Sequence, residues 1–561
     1  MQLPGHITIR SEVPFAGEEL ARYLSMIPGC QPGTAGYPIR VMVNGTGGED
    51  YTVTVSQERA DISGGSVRGA VYGTYAFLER CLGFHFLAED CEIIPDSLPE
   101  LKACGFHDVP AFEYRDAYWR GALDGTYALK MRLNSARADI PPERGGRVMF
   151  YNYSHTFEQL VPPDEFFDTH PEYFSMVSGV RRRHKSQLCL TNPDVLRIVT
   201  ERVLGWMRAN PEYTIFSVAM NDWYSPCECP ACKALDEREE SHAGTMIAFV
   251  NAVADAARDE FPKNRIHTFA YLYCRKPPRT LRPRDNVIVR LCSIESCFSH
   301  PLSACDHAVS RIDVEAAASH PFTKGGRLLR QDLEAWSKIC DSLYIWDYTT
   351  NFSNYLQPFP NLHVIGPNLR LFRDCHVHGV FEQGNYSPGR ASAFAPLKIY
   401  LISKLMWNPD EDADELTERF VRGYFGEAAA DPLLEYLSLS AQTAQGAHMS
   451  LFDGVNVPYL SSNFVREGLR LMKLALDRAG DPVHIERIRR EELSLRYVHL
   501  ASLPLDAPGR DALIDEFSAD ALELGISELF ERRELEASFD CMKKSRYCTD
   551  RGGIPYTVYR I

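Results

Sequence analysis

Two acidic residues that are far apart in the chain each lie just after an apolar run. Asp222 follows Asn221 directly after the run 213–220, and Glu382 follows the run 379–381. The C-terminal ends of parallel strands are where (β/α)8 enzymes carry their catalytic side chains. A pair of carboxyl groups on two strand ends is the machinery of glycoside hydrolysis. The sequence therefore predicts Asp222 as a general acid and Glu382 as a second catalytic carboxylate, with Asn221 beside them.

Acidic, polar and aromatic residues occupy the same position after the other apolar runs. Carboxylates transfer protons, charged groups and amides bind hydroxyls, and flat aromatic faces cover the apolar side of a sugar ring. These types together predict an oligosaccharide or glycan substrate. The predicted substrate-binding residues are Arg115, Asp116, His155, Trp223, Tyr271, Tyr273, Glu295, His300, Trp346, Asp347, Tyr348 and Tyr386.

Several of these residues also have a purely structural interpretation. Asp222 could cap a helix, because loop aspartates often do. Glu382 could be a structural glutamate, and Trp346 a core residue. His155 and His300 could serve only to orient other side chains.

The adjacent residues Arg115 and Asp116 could form no more than an ion pair with each other. Their alternative role is recognition of the substrate.

Three cysteines follow Asp222 with the spacing Cys227-x-Cys229-x-x-Cys232. A structural zinc site needs four ligands in tetrahedral geometry, so the fourth would have to come from elsewhere in the chain, for example from Cys292 or Cys297. Buried free thiols or a local disulfide is the interpretation that we favour, and we predict no metal and no cofactor. A catalytic cysteine is the least supported alternative, because nothing in the sequence fixes a partner base.

Composition excludes some classes of partner. The chain has 561 residues, a formal net charge of -15 and no long basic run, which argues against a nucleic-acid partner. No stretch is long and apolar enough to predict a membrane span. The first ten residues lack the apolar core of a signal peptide, so we expect a cytoplasmic protein whose 16 cysteines are mostly reduced.

The elements that would position these residues suggest three domains. We predict that residues 1–107 form a small α/β domain, that residues 108–425 form a (β/α)8 TIM-type barrel, and that residues 426–561 form a helical region. Alternating strand-like and helical runs are the signature of such a barrel. The eight predicted barrel strands are 112–117, 147–151, 187–190, 214–220, 266–271, 287–291, 343–346 and 379–381. Long loops at 121–146 and 298–325 would cover its mouth.

Several motifs resemble known glycosidase domains. Ser66-Val-Arg-Gly-Ala-Val-Tyr-Gly73 resembles part of the small α/β domain that precedes the barrel in hexosaminidases and α-glucuronidases. Asn221-Asp222 with the cysteine motif, Tyr344-x-Trp-Asp-Tyr348 and Gly379-Val-Phe-Glu-Gln-Gly384 resemble the bacterial domain of unknown function 4838. That domain includes glycoside hydrolase family 163, which comprises endo-acting β-N-acetylglucosaminidases on N-glycans. The resemblance covers roughly residues 35–425.

The resemblance implies a retaining, substrate-assisted mechanism, in which the acetamido carbonyl of the sugar attacks its own anomeric carbon. Asp222 would be the acid, and Tyr271 or Tyr273 would donate a hydrogen bond to the acetamide. Related hexosaminidases place two adjacent acids at the tip of strand four, and here Asn221 replaces the polarising acid, so Glu382 or Glu295 is considered for that role. The alternatives are an inverting exo-glycosidase of the α-glucuronidase type and an inactive carbohydrate-binding barrel.

Overall fold

The computed structural model describes residues 1–307, 328–387, 389, 391–531 and 533–545. Part of the predicted loop 298–325 and the end of the predicted helical region therefore lie outside the described residues.

The N-terminal part forms a six-stranded sheet against two helices. Its elements are β1 (His6–Ser11), α1 (Pro14–Met26), β2 (Gln31–Gly33), β3 (Tyr37–Val43), β4 (Tyr51–Val55), β5 (Ala60–Gly64), α2 (Val67–Leu82), the hairpin strands β6 (His85–Ala88) and β7 (Cys91–Ile93), and β8 (Cys104–Asp108). The strand order is β2-β1-β3-β5-β4-β8. A Cβ on Gly73 would lie 2.9 Å from the Ile62 side chain, so this glycine lets α2 pack closely on β5.

The central sheet contains seven parallel strands in the order β10-β13-β14-β15-β16-β17-β9. Their bounds are β9 (Tyr114–Tyr118), β10 (Phe150–Tyr151), β13 (Ile215–Ser217), β14 (Arg265–Ala270), β15 (Val287–Cys292), β16 (Leu343–Tyr348) and β17 (Val377–Gln383). A separate hairpin, β11 (Met176–Val177) and β12 (Val180–Arg181), lies between β10 and β13 in the chain. Every pairing in the seven-stranded sheet is parallel, as in a barrel.

Side chains show that this sheet curls on itself. The guanidinium of Arg290 on β15 lies 5.7 Å from the ring of Tyr114 on one edge strand and 5.0 Å from the ring of Phe150 on the other. The Tyr114 hydroxyl is 3.2 Å from that of Tyr153, just after β10. The concave face of the sheet therefore encloses a core of its own.

The prediction of eight strands is confirmed only in part. The predicted strand 187–190 makes an isolated antiparallel bridge, between Phe174 and Leu188, and does not join the sheet. The Gln187 amide donates instead to Ser175 Oγ at 3.2 Å. In the part of the chain that the structure describes, β10 pairs directly with β13, and the sheet order does not close between β9 and β10. The observed sheet is thus an open, seven-stranded version of the predicted barrel.

Helices cover the outer face and form the C-terminal part. Around the sheet are α3 (Gly125–Lys130), α4 (Phe157–Leu160), α5 (Pro163–Phe166), α6 (Pro193–Ala209), α7 (Pro230–Glu239), α8 (Ala243–Glu260), α9 (Leu329–Trp336), α10 (Leu362–Asp374) and α11 (Ala395–Trp407). The helices that follow are α12 (Ala413–Phe425), α13 (Glu427–Gln445), α14 (Ser462–Arg478), α15 (Pro482–Ser502), α16 (Arg510–Glu523) and α17 (Leu535–Lys544). Among the described helices, none combines the length and the apolar character needed to cross a bilayer. The domain boundaries at 107 and 425 stay predictions.

Candidate active site

The predicted acid Asp222 lies at the C-terminal end of the central sheet. Pairing continues beyond β13, since the Val218 amide donates to the His267 carbonyl at 2.8 Å. Asp222 follows this segment and is exposed to solvent. Tyr271, at the same end of the neighbouring strand β14, donates its hydroxyl to Asp222 Oδ1 at 3.1 Å. The structure therefore brings the predicted acid together with one of the two predicted tyrosines.

The surroundings of Tyr271 keep it protonated. Burial, and then the charge of Asp222, raise the pKa of Tyr271 well above its ordinary value, so the phenol remains a hydrogen-bond donor. Tyr273 lies elsewhere, with its ring centroid 5.8 Å from that of Tyr224 and 5.6 Å from that of His242. Tyr271 is the better candidate for contact with substrate.

Every polar group of Asn221, in both its backbone and its side chain, is hydrogen-bonded to another residue. Gln187 accepts from the Asn221 amide at 2.9 Å and donates to the carbonyls of Asn221 and Trp223 at 2.8 and 2.6 Å. The Asn221 side chain donates to the Ser186 carbonyl at 2.9 Å and accepts from the Glu158 amide at 3.0 Å. Asn221 therefore positions Asp222, and Gln187, which the sequence analysis missed, clamps the loop around it.

Two more predicted residues lie beside Asp222. Trp223 is 40% exposed, which makes its face available to a sugar, and Lys185 Nζ lies 5.4 Å from its ring. His155 Nδ1 donates to the Met220 carbonyl at 2.8 Å, and its ring lies 6.4 Å from that of Tyr271. Because a carbonyl oxygen only accepts, His155 Nδ1 carries a proton in this bond.

Aromatic side chains also lie at the C-terminal ends of β16, β17 and β9. Trp346 donates to Gln383 Oε1 at 2.8 Å, and its ring lies 4.4 Å from that of Phe381. Tyr386 stacks on Tyr118 with centroids 4.8 Å apart. The Tyr386 hydroxyl also donates to Glu531, from the segment between α16 and α17. No local signal in the sequence connects Glu531 with this site.

Asp347 and Glu382 form a buried pair on adjacent strands. They are register partners, as are Trp346 and Phe381, which face the concave core. Because side chains alternate along a strand, Asp347 and Glu382 point to the other face of the sheet. Burial and then the charge of Asp347 raise the pKa of Glu382 well above its ordinary value. Burial raises the pKa of Asp347 to about 6, against a hydrogen bond from Ser293. The catalytic role of Glu382 stays a prediction, and the structure pairs it with Asp347 rather than with Asp222.

Glutamine at position 382 should make stability less sensitive to pH. The pKa of Glu382 is raised on folding, so its favourable contribution is present at low pH and is lost as the pH rises above about 4.3, its unfolded value. We expect the unfolding midpoint of Glu382→Gln to fall less than that of the wild type between about pH 5 and about pH 8. Thermal unfolding at both pH values measures this, with the exposed Glu58→Gln as the control. Equal pH dependence in wild type and Glu382→Gln would contradict the buried placement.

Glu295 and His300 are engaged by other parts of the protein. Glu295 pairs with Arg275 at 2.5 Å, and Arg275 Nε donates to Asp332 on α9 at 2.8 Å. Burial raises the pKa of Glu295, against the effect of Arg275. The predicted residue Tyr348 is also buried. Burial raises its pKa well above the ordinary value, and the charges of Asp222, Asp347 and Glu295 add to this effect. His300 Nε2 donates at 2.9 Å to the carbonyl of Gln445, the last residue of α13.

Arg115 and Asp116 point to opposite faces of β9 and do not pair. Arg115 is fully buried against the N-terminal sheet, where it binds Glu49 and donates to the Arg132 carbonyl at 2.8 Å. Asp116 lies in the concave core, accepts from Tyr114 at 2.6 Å, and has its pKa raised by burial to about 6. We leave Arg115 out of the proposed site, since its guanidinium is occupied at this interface.

A cavity of about 330 Å³ lies between the N-terminal hairpin, the sheet and the C-terminal helices. Trp119, Asn385 and Glu491 are among the residues that line it. None of the predicted site residues is among those that line it in the described part of the chain. The chemistry at Asp222 therefore argues for the C-terminal end of the sheet as the site, ahead of this cavity.

Two groups of cysteine and histidine in the described residues could hold a metal ion. One joins the predicted motif Cys227, Cys229 and Cys232 to Cys189, whose part in it the sequence analysis missed. The suggested fourth ligand Cys292 instead lies with its Sγ 3.9 Å from the Arg290 carbonyl, and Cys297 belongs to the second group.

Solved structures show what the fold is similar to. The family GH115 4-O-methyl-α-glucuronidase BtGH115A, described as specific for decorated arabinogalactans, is 12% identical with a TM-score of 0.54, over 93% of this chain and 77% of its own. CpGH89 from Clostridium perfringens is 11% identical with a TM-score of 0.49, over 85% of this chain and 60% of its own. The β-N-acetylhexosaminidase from Bacteroides fragilis is 12% identical with a TM-score of 0.38, over 73% and 89%. At these identities the first likeness shows a shared fold.

Sequence comparison identifies the family. No curated protein matches the chain. A family model described as a domain of unknown function, DUF4838, matches residues 86–438, from the N-terminal hairpin through the central sheet and into α13. This is more than half of the chain and includes Asp222, Tyr271 and Glu382. The chain therefore belongs to the DUF4838 family.

Proposed function

We propose that the protein is a glycoside hydrolase that cleaves β-linked N-acetylhexosaminides with retention, with Asp222 as its general acid. The observation that carries this proposal is the hydrogen bond of 3.1 Å from the buried Tyr271 to the exposed Asp222. The carboxyl group is open to a substrate, and the phenol beside it is a fixed donor. Family membership and the fold shared with the GH115 protein support a carbohydrate-cleaving enzyme.

The arrangement of carboxyl groups favours a substrate-assisted mechanism. An inverting enzyme needs a second carboxylate about 6.5–9.5 Å from the first, to activate water. The two predicted partners are occupied elsewhere, Glu382 beside Asp347 on the outer face and Glu295 in an ion pair with Arg275. A substrate that supplies its own acetamide nucleophile needs only the acid from the protein, together with a donor to orient the acetamide.

The residues then divide the work as follows. Asp222 gives its proton to the glycosidic oxygen as the bond to the leaving group breaks. The acetamide oxygen attacks the anomeric carbon, and the Tyr271 hydroxyl turns from Asp222 to the bound substrate, donates to the acetamide and holds it in place. The exposed face of Trp223 covers the apolar side of the sugar. Water opens the resulting oxazolinium ion on the face that the leaving group vacated, with Asp222 now accepting the proton.

The alternative is an inverting enzyme of the α-glucuronidase type, which the described activity of the GH115 protein suggests. The two mechanisms differ in the first-formed sugar. Aryl β-N-acetylglucosaminides, aryl β-glucosides and aryl α-glucuronides should be compared, with proton NMR of the initial product. We expect cleavage only where the acetamide is present, with retention. An inverted product, or cleavage of the glucuronide alone, would overturn the proposal.

Removal of the Tyr271 hydroxyl should weaken catalysis without unfolding the protein. A hydrogen bond to a charged group contributes about 1.5–3 kcal/mol, so Tyr271→Phe should lower kcat/KM by a factor on the order of 10 to 100. Tyr273→Phe is the matched control, because Tyr273 packs between Tyr224 and His242. Steady-state kinetics on an N-acetylglucosaminide measure both. A larger loss in Tyr273→Phe than in Tyr271→Phe would exchange their assignments.

A further inference from the structure

Four buried cysteines meet beside the loop that carries Asp222. The sulfur atoms of Cys189, Cys227, Cys229 and Cys232 all lie within 4.8 Å of one another. Cys189 Sγ is 3.6 Å from Cys229 Sγ and 3.9 Å from Cys232 Sγ. All four are free cysteines.

These distances fit a metal ion and exclude a disulfide in this arrangement. Four sulfurs bound tetrahedrally at about 2.3 Å to one zinc ion lie about 3.8 Å from one another. A disulfide would bring two of them to about 2.05 Å. Cysteines that merely fill a core have no reason to converge from two separate segments, 186–192 and 227–232, onto one point.

The groups around the sulfurs suit bound thiolates. The Met176 amide donates to Cys227 Sγ at 3.4 Å, and Arg181 Nη1 lies 3.6 Å from the same sulfur. The Thr191 hydroxyl lies 3.2 Å from Cys232 Sγ. Outer hydrogen bonds of this kind orient metal ligands, and the arginine offsets the negative charge of a four-thiolate site.

We propose that Cys189, Cys227, Cys229 and Cys232 bind one structural zinc ion. Four protein ligands leave no open position for water or substrate, so the ion acts by holding two segments together. Gln187, in the first of these segments, also binds Asn221 and Trp223, which precede the second segment in the same loop. The zinc ion therefore fixes the loop on which Asp222 is placed.

The metal content of the full-length protein tests this directly. The protein should be purified without metal-affinity steps, kept reduced, incubated with Zn²⁺, dialysed and analysed by mass spectrometry. We expect Cys189→Ser to hold one zinc ion fewer per chain than the wild type, and Cys30→Ser, a buried cysteine outside the group, to hold as many. Equal zinc in Cys189→Ser and wild type, or no zinc in the wild type, would overturn the proposal.

A second readout does not depend on a variant that folds. Cobalt exchanged into the wild-type protein should give the thiolate-to-metal charge-transfer absorption of a tetrahedral sulfur site. If this absorption is absent and the four thiols react freely with a thiol reagent in the folded protein, the cysteines form an ordinary cluster and the proposal is wrong.

A different group of ligands carries a second proposal. Cys297 Sγ lies 3.2 Å from His300 Nδ1 and 3.4 Å from His448 Nδ1, and Cys305 Sγ lies 3.9 Å from His448 Nδ1. All four ligand atoms lie within 4.8 Å of one another. The hydrogen bond from His300 Nε2 to the Gln445 carbonyl directs Nδ1 at the group, as in many zinc-bound histidines.

We infer that Cys297, His300, Cys305 and His448 bind a second zinc ion, which ties the segment after β15 to the segment after α13. Two cysteines and two histidines are a common structural zinc set. In the same metal analysis, His448→Ala should hold one ion fewer than the wild type and Cys189→Ser should keep this one. The control is the exposed His499→Ala. The second site alone would be overturned if His448→Ala held as much zinc as the wild type. It would also be overturned if the wild type held one zinc ion per chain and Cys189→Ser held none.

Discussion

Asp222→Asn should lower kcat on an unactivated N-acetylglucosaminide by a factor on the order of 10² to 10⁴, the usual contribution of general acid catalysis. Asparagine keeps the shape of the side chain and can still accept the hydrogen bond from Tyr271. It cannot give a proton to the leaving oxygen. A nitrophenolate leaves without protonation, so aryl substrates with activated leaving groups should be affected far less.

The comparison of the two kinds of leaving group is the decisive measurement for Asp222. Asp164→Asn, an exposed aspartate in α5, serves as the control and should leave both rates unchanged. Zinc content measured on the same preparation of Asp222→Asn excludes loss of the neighbouring cysteine site as the cause. An equal loss on activated and unactivated substrates would show that Asp222 positions the substrate and is not the acid.

Arg115→Met should cost the protein stability and leave substrate affinity unchanged. Arg115 is fully buried, and the Glu49 side chain that it binds is 15% exposed. Removal of one partner of a buried ion pair costs about 3–5 kcal/mol in the free energy of unfolding when the other charge is left alone, and the loss should be smaller here because Arg68 still pairs with Glu49 at 2.9 Å. Methionine retains most of the apolar stem, so the loss reports on the charge.

Denaturant unfolding, together with KM measured at a temperature where the variant is folded, separates the two roles of Arg115. Arg59→Met removes a pair with Asp61 on the surface, where the Arg59 side chain is 51% exposed, and should change stability little. A large rise in KM with unchanged stability in Arg115→Met would restore the predicted role in substrate binding.

Much of the fold is visible in the sequence, because buried parallel strands are continuous apolar runs. Seven of the eight predicted strand runs overlap strands of the central sheet. The run 187–190 is equally apolar at its end, but Gln187 uses its polar groups to bind Asn221. Cys189, in the same run, belongs to the cysteine group. Such uses depend on residues far away in the chain, so periodicity could not reveal them.

Individual residues of the candidate site could be predicted from the sequence, but which of them contact one another could not. Asp222, Tyr271 and Trp223 were found because each lies at, or within three residues of, the end of an apolar run. The orientation of Glu382 could have been inferred by counting alternation from Phe381, which faces the core. Gln187 and Glu531 carry no local pattern, since their roles arise only from contacts across the fold.

The bond between Tyr386 and Glu531 has a consequence for how specificity could diversify in this family. Tyr386 belongs to the matched region 86–438, whereas Glu531 lies beyond it. One contact of Tyr386 is thus made by a segment that the family model does not cover. Under the proposed function, a different C-terminal segment would leave the acid in place and present a different contact to the substrate. A chimera that exchanges only this segment should therefore change which branched substrates are accepted, while the stereochemistry of cleavage stays the same.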